Sequence, residues 1–236
     1  MKLSTMQEVL ILLEDEKEVP IYRLNRWGRS IRGVLSKLKN LGWAEKISSN
    51  NEIFYRITNK GEKYFDETLS VLRDRGSWDK KWRLVIFDIP ESNRGARDKL
   101  RRALSNIGMG ILQASVWISA QDKRDKILKI SERLNLKNNI KYFEVTSTPS
   151  LNKQIIGKAW NLPEVNLDLE RFIKESERTL KNMGTGNGDR FNAKKLIFQY
   201  AVVLKKDPAL PDQFIQNDNL RAKAREIYLK LRVYAV

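Results

Sequence analysis

Two sets of side chains in this sequence have types and spacing that suit chemistry with phosphate-bearing polymers. The first lies between Arg29 and Asn40. Placed on a helix at about 100° per residue, Arg29, Arg32, Gly33, Ser36 and Asn40 share one face, with Lys37 and Lys39 at its flanks. Arg, Ser and Asn hydrogen-bond base edges in a major groove, and Lys suits phosphates. Ser30 joins this candidate set, and Lys46 and Lys60 are candidate phosphate contacts. Gly33 costs a helix interior roughly 1 kcal/mol relative to Ala. On a polar face it suggests a surface that a partner approaches closely. The second set begins at Asp88, which ends an apolar run before Pro90 and is followed by Arg94, Arg97, Arg101 and Arg102. An aspartate at a strand end can hold Mg²⁺ for phosphodiester hydrolysis when a second subunit supplies another. The competing reading is that Asp88 caps a turn or pairs with a nearby arginine. A lone carboxylate is a poor metal cage, so no metal or catalytic residue is expected, and Asp88 stands as the alternative metal site.

Other charged groups look structural. Glu14-Asp15-Glu16 beside Lys17 reads as a solvated helix end. Glu175 and Glu177, among Lys174 and Arg178, have the spacing of surface ion pairs. Arg190, Lys194 and Lys195 read as solvated charge, with a coenzyme A phosphate at a positive helix start as the alternative. Trp43, Trp82, Trp117 and Trp160 are expected in cores, and Trp27 and Trp78 at exposed element ends where stacking on a ligand stays open.

Composition narrows the chemistry. The chain of 236 residues has no Cys and no His. That removes disulfides, thiolate and imidazole metal sites, and Ser-His-Asp or Cys-His catalysis. Hydrophobic residues make up 41% and aromatics 9%, enough for packed cores. The longest apolar run, Val9 to Leu13, is five residues, far short of a bilayer span, and no secretory leader pattern is visible. A cytoplasmic protein without a membrane partner is expected. There are 45 Lys+Arg against 29 Asp+Glu, a net charge of +16, and a surplus of that size attracts polyanions, most simply nucleic acid. Between Pro20 and Lys63 there are 10 basic and 3 acidic residues, so a DNA-reading element is expected there.

The elements that must position these residues fall into three modules. Residues 1–75 read helix, helix, helix, two strands, helix. Ser4 with Gln7 is a capping box, Pro20 suits a helix start, and Gly42 closes a helix from Arg29 to Leu41. Trp43–Ile47 and Ile53–Ile57 read as strands joined by Ser48-Ser49-Asn50-Asn51, and Thr58 caps a helix to about Arg75. Arg75-Gly76-Ser77 reads as a linker. Residues 80–149 read strand, helix, a long strand run from Gly110 to Ser119 open to bending in two, helix, strand, the pattern of a ferredoxin-like α/β sandwich. Residues 155–236 read as helical, with Asn182–Arg190 a flexible loop. The fold class expected is α+β multidomain.

Several stretches resemble the phenylacetate-degradation repressor (PaaX) family. Ile31-Arg32-Gly33-Val34-Leu35-Ser36-Lys37-Leu38-Lys39-Asn40-Leu41-Gly42-Trp43 is similar to its recognition-helix segment, and Thr58-Asn59-Lys60-Gly61 to the joint that follows its hairpin. Trp82 to Glu91 and Leu112 to Ser119 resemble its central domain; Ala159 to Leu162 and Asp207 to Pro211 resemble its C-terminal domain. The hairpin lacks the Gly-Arg pair of the family's wing, and Gln213 to Leu220 departs from its pattern. The resemblance implies a winged-helix reader at 1–75, a ferredoxin-like dimerisation domain at 80–149 and a helical C-terminal domain at 155–236. It also implies a homodimeric repressor on double-stranded operator DNA, with no cofactor and an effector of the acyl-coenzyme A type. The central segment also resembles the small CRISPR-associated adaptation nuclease subunit. A Mg²⁺-dependent nuclease and a non-specific nucleic-acid binder are therefore the alternatives to a sequence-specific regulator.

Overall fold

The computed structural model describes residues 2–49, 51–73, 78–146, 149–184, 187–208, 210–215 and 218–235. The expected linker at Arg75-Gly76-Ser77 lies outside the described residues. Contacts divide the chain into two units: Met1–Arg73 with Arg171–Val202 and Lys223–Val236, and Asp74–Glu170 with Val203–Ala222. The helical segment that the sequence presents as one module is thus shared between both. The chain is mixed α and β, with two antiparallel sheets. Among the described residues no helix is long and apolar enough to cross a membrane.

The first unit is organised around α1 (Thr5–Glu16). Its Ser4 cap and Gln7 form the reciprocal capping box expected from the sequence. The apolar run Val9–Leu13 is completely buried. A run of five consecutive apolar residues points in every direction around a helix, so both sides need cover. One side packs on α3 (Ile31–Asn40) and the sheet; on the other, Ile11 meets Phe65 and Phe198. The sheet contains β2 (Ala44–Ser49) and β3 (Glu52–Ile57), a hairpin whose Asn51 adopts positive φ. The sequence reading missed β1 (Glu18–Pro20), a three-residue edge strand on β3. Strand order is β1-β3-β2. Between them come α2 (Ile21–Leu24) and a 3-10 turn, Asn25–Ser30; after them comes α4 (Asn59–Leu69). The unit also takes in the C-terminal part of α8 (Leu162–Leu180), most of α9 (Asn187–Lys206) and the larger part of α10 (Asp218–Tyr234). α9 begins inside the expected glycine-rich loop.

The second unit holds β4 (Trp82–Phe87), α5 (Arg94–Asn106), β5 (Gly110–Gln113), β6 (Val116–Ser119), α6 (Arg124–Arg133) and β7 (Ile140–Val145). The run Gly110–Ser119 is two strands, a hairpin with an irregular register between Ile111 and Gln113. Sheet order is β5-β6-β4-β7. Val85, Phe87 and Trp117 face α5 and α6 through Leu100, Leu104, Ile127 and Ile130. Trp82 and Ile118 face the other way, onto Ile156, Ala159 and Trp160 of α7 (Lys153–Ala159) and the residue after it. An added Cβ on Gly110 would sit 2.6 Å from the Trp160 ring, whose indole N–H donates to the Gly108 carbonyl at 3.0 Å. Only glycine leaves room for that indole.

Candidate nucleic-acid interface

α3 is held at both ends by backbone features that its sequence encodes. Gly28, with φ +66° and ψ −153°, breaks the 3-10 turn so that the chain restarts at Ile31. At the other end Gly42 takes φ +70°; its N–H donates to the Lys39 carbonyl (2.8 Å) and that of Trp43 to the Leu38 carbonyl (2.9 Å). This pair of bonds satisfies carbonyls that the helix end leaves without partners. Thr58 then stitches the helix exit to α4: its hydroxyl donates to the Gly42 carbonyl and accepts from the Gly61 N–H (3.2 Å), and its own N–H donates to the Trp43 carbonyl. Gly61 is required there, because a Cβ would lie 2.2 Å from the Trp43 carbonyl oxygen.

Ile31, Leu35 and Leu38 anchor α3 in the core, with Val34 half-buried. Arg29, Ser30, Arg32, Gly33, Ser36, Lys37, Lys39 and Asn40 are all exposed, as are Lys46 on β2 and Lys60 on α4. Nothing in the fold comes within 4 Å of a Cβ built on Gly33, so no internal contact explains the glycine. Among the described residues, the six cations Arg29, Arg32, Lys37, Lys39, Lys46 and Lys60 have no carboxylate partner, whereas other cations of the unit are neutralised. Arg23 pairs with Glu16, Arg56 with Glu18, and Lys17 with Glu62 at 3.3 Å. Arg26 stacks over Trp27 at 4.0 Å and Phe191 at 4.9 Å, and burial lowers its pKa. The structure therefore leaves one face of the unit with uncompensated positive charge.

The acids and bases read as solvated ends meet each other. Asp15, its side chain almost fully buried, receives Arg190 at 2.9 Å and Lys194 at 3.0 Å. Glu14 also holds Lys194 at 3.0 Å. Glu8 holds Lys195 at 3.5 Å and accepts the Trp27 indole N–H at 2.9 Å. Glu8 and Asp15, seven residues apart, share a face of α1, and Arg190 and Lys194 are one turn apart on α9. That spacing is the only sequence sign of the match. Elsewhere, Glu177 bonds Lys223 of α10 at 2.8 Å, and Glu175 accepts from Gln199 of α9 at 3.3 Å, in place of the local pairs expected. Trp27 and Trp78 are half-buried and hydrogen-bonded, Trp78 to the Lys81 carbonyl at 2.9 Å, which removes them as ligand-stacking platforms.

Asp88 is exposed at the end of β4, its backbone tied to Asn139 through the N–H (3.0 Å) and the carbonyl (2.8 Å). Its carboxylate has no hydrogen bond or ion pair among the described residues; Arg97 pairs instead with Glu91 (2.8 Å), and Arg101 bonds the Ala114 carbonyl. The expected turn cap or arginine pair is therefore not formed. No group of three or more metal-ligating side chains occurs among the described residues, so one chain does not fit a metal by itself. The strongest titration shifts in this unit are structural. Arg83, buried, holds the Asp79 carboxyl down to about 2, and burial next to Asp122 pushes the Tyr142 phenol up to about 12.

Residues 75–156 match the family model of the PaaX protein central Cas2-like domain. The PaaX resemblance carried by Trp82–Glu91 and Leu112–Ser119 is thereby borne out, and the central segment belongs to that domain. No curated protein matches the chain. Among solved structures, the uncharacterized protein Rv0674 from Mycobacterium tuberculosis is similar at 16% identity and a TM-score of 0.48, over 88% of this chain and 83% of that one.

Proposed function

We propose that the chain is a sequence-specific, DNA-binding transcription regulator that works as a homodimer in the cytoplasm, a ligand-responsive repressor of the PaaX type. One observation carries this reading: the exposed face of α3 with Lys46 and Lys60 holds six cations that the fold leaves unpaired while it neutralises their neighbours. Charge left uncompensated on a polar helix face suits a polyanion. The order helix, strand, two helices, hairpin and helix, with strand order β1-β3-β2, supports a winged-helix reader. The order β, α, β, β, α, β with sheet order β5-β6-β4-β7 supports a ferredoxin-like centre. In this reading α3 enters the major groove; Arg29, Arg32, Ser36 and Asn40 meet base edges, while Lys37, Lys39, Lys46 and Lys60 meet phosphates. Ser30 lies at the start of the same face.

Dimerisation is supported by the outer sheet face of the second unit. Phe143 pairs with Leu84 across β7 and β4, and Ile86 follows on the same side; Phe143 is 47% and Ile86 38% exposed. An apolar strip of this kind is suited to a second copy. Two copies would set their recognition helices on half-sites about 34 Å apart, one DNA turn.

The test is a selection of bound duplexes from a random library at near-physiological salt with Mg²⁺ present. An intact inverted-repeat consensus is the expected result. Recovery without a consensus would establish a non-specific binder instead. Mg²⁺-dependent cleavage that disappears in Asp88→Ala would favour a nuclease, the reading that the free Asp88 carboxylate supports.

A further inference from the structure

The first unit contains an open cavity of about 500 Å³, within the range of small-molecule sites. One wall is apolar: Phe65, Leu69 and Leu72 from the α4 segment, Ile197 from α9 and Tyr228 from α10. The charged lining is asymmetric. Glu14 is neutralised by Lys194 and, at 3.7 Å, by Lys17. Arg73 and Arg232 have no carboxylate partner among the described residues, and the Arg232 guanidinium lies 6.0 Å from the Tyr228 ring centre. Asp66 at the margin is the one acid of the lining without a recorded partner among those residues. An apolar wall with two uncompensated guanidinium groups complements an organic anion with an aromatic or aliphatic body. A guanidinium is also the side chain that grips a carboxylate in two-point fashion.

We propose that this cavity is a binding site for a small, apolar-bodied organic carboxylate, and that its occupation weakens DNA binding through α9. The second half rests on the DNA-reading function proposed above; the first does not. The route is made of observed contacts. Lys194 lines the cavity and also clasps Glu14 and Asp15 of α1. Next to it, Lys195 holds Glu8, and Glu8 accepts the Trp27 indole N–H in the turn that leads into α3. Phe191, three residues before Lys194, packs against Arg26 in that same turn. A carboxylate in the cavity competes with Glu14 and Asp15 for Lys194 and so loosens the hold of α9 on the base of the recognition helix. Linkage is reciprocal, so DNA lowers the affinity for the anion by the same factor.

The experiment titrates the full chain calorimetrically with naphthalene-2-carboxylate and with its uncharged carboxamide. The expected result is one site per chain, with the carboxylate bound at least tenfold more tightly. Arg73→Gln combined with Arg232→Gln removes that preference, and Leu72→Trp, which fills the cavity, abolishes binding; both variants keep the wild-type melting temperature. No saturable binding, equal affinity for both probes, or binding unchanged in both variants overturns the site. Operator binding is then measured with and without saturating carboxylate. A fall of fivefold or more that vanishes in Leu72→Trp supports the coupling. An equal fall in that variant locates the anion on the DNA-reading face and overturns it, as does no change. The calorimetric arm stands whether or not the chain reads DNA, so the two proposals fail separately.

Discussion

Arg32 and Gly33 sit side by side on the exposed face of α3, and their substitutions are expected to act oppositely on folding and binding. Gly33→Ala adds a methyl where nothing lies within 4 Å and removes backbone freedom from the unfolded chain. It should stabilise the protein by up to about 1 kcal/mol in denaturant melts, yet lower operator affinity. Raised stability with unchanged affinity would mean that DNA does not approach that backbone. Arg32→Ala should leave stability within about 0.5 kcal/mol and cost roughly 1–3 kcal/mol at one base position of the consensus. An unchanged preference in a competition assay would remove Arg32 from the reading face. Gly61 is the contrasting glycine. Its Cβ would collide with the Trp43 backbone, which cannot swing aside as a side chain does. Gly61→Ala should therefore destabilise by roughly 1–3 kcal/mol or more, seen as a lower denaturation midpoint.

Between elements, the pairing of α1 with α9 is the feature with the largest expected effect. Asp15 is nearly buried and meets two cations, but Arg190 and Lys194 keep partial access to water. Asp15→Asn therefore costs on the order of 2 kcal/mol, the scale of charge-assisted hydrogen bonds rather than of a stranded buried charge. Equilibrium unfolding of the variant would check this, and a loss below about 0.5 kcal/mol would mean that the pairing adds little beyond apolar burial. In the second unit, Arg83 lowers the Asp79 carboxyl to about 2 from an ordinary value of 3.8. A carboxyl whose folded pKa is depressed contributes stability that is fully present above its unfolded pKa. That contribution is lost as pH falls through the folded value. The wild-type chain should thus lose stability more steeply than Asp79→Asn between about pH 4 and pH 2. Parallel acid limbs for the two proteins would show that this pair does not contribute.

At the scale of the molecule, the surplus of 16 positive charges sets how binding responds to salt. Each phosphate contact releases counterions and steepens the logarithmic salt dependence of binding by about 0.9. Lys46→Ala should flatten that slope by about one for each subunit on the DNA and weaken all duplexes alike, leaving the consensus intact. A changed consensus with an unchanged slope would make Lys46 a base-reading residue.

The sequence by itself determined what is local. The α3 face, its cap at Gly42, the Ser4–Gln7 box and the strand–helix alternation of residues 80–149 each depend on neighbours a few positions away. Helix periodicity and turn chemistry record such neighbours directly. The resemblance of the central segment was legible for the same reason, as runs of adjacent residues. Tertiary structure decided what depends on distant partners. It made Val9–Leu13 a helix covered on both sides, because Phe65 and Phe198 close over Ile11. It paired Asp15 with Arg190 and Lys194, which a sequence reading takes for two solvated ends. It also shared the C-terminal helices between two units, since each supplies apolar surface that both need to bury. Which cations stay free follows from where the acids go, and only the folded chain fixes that.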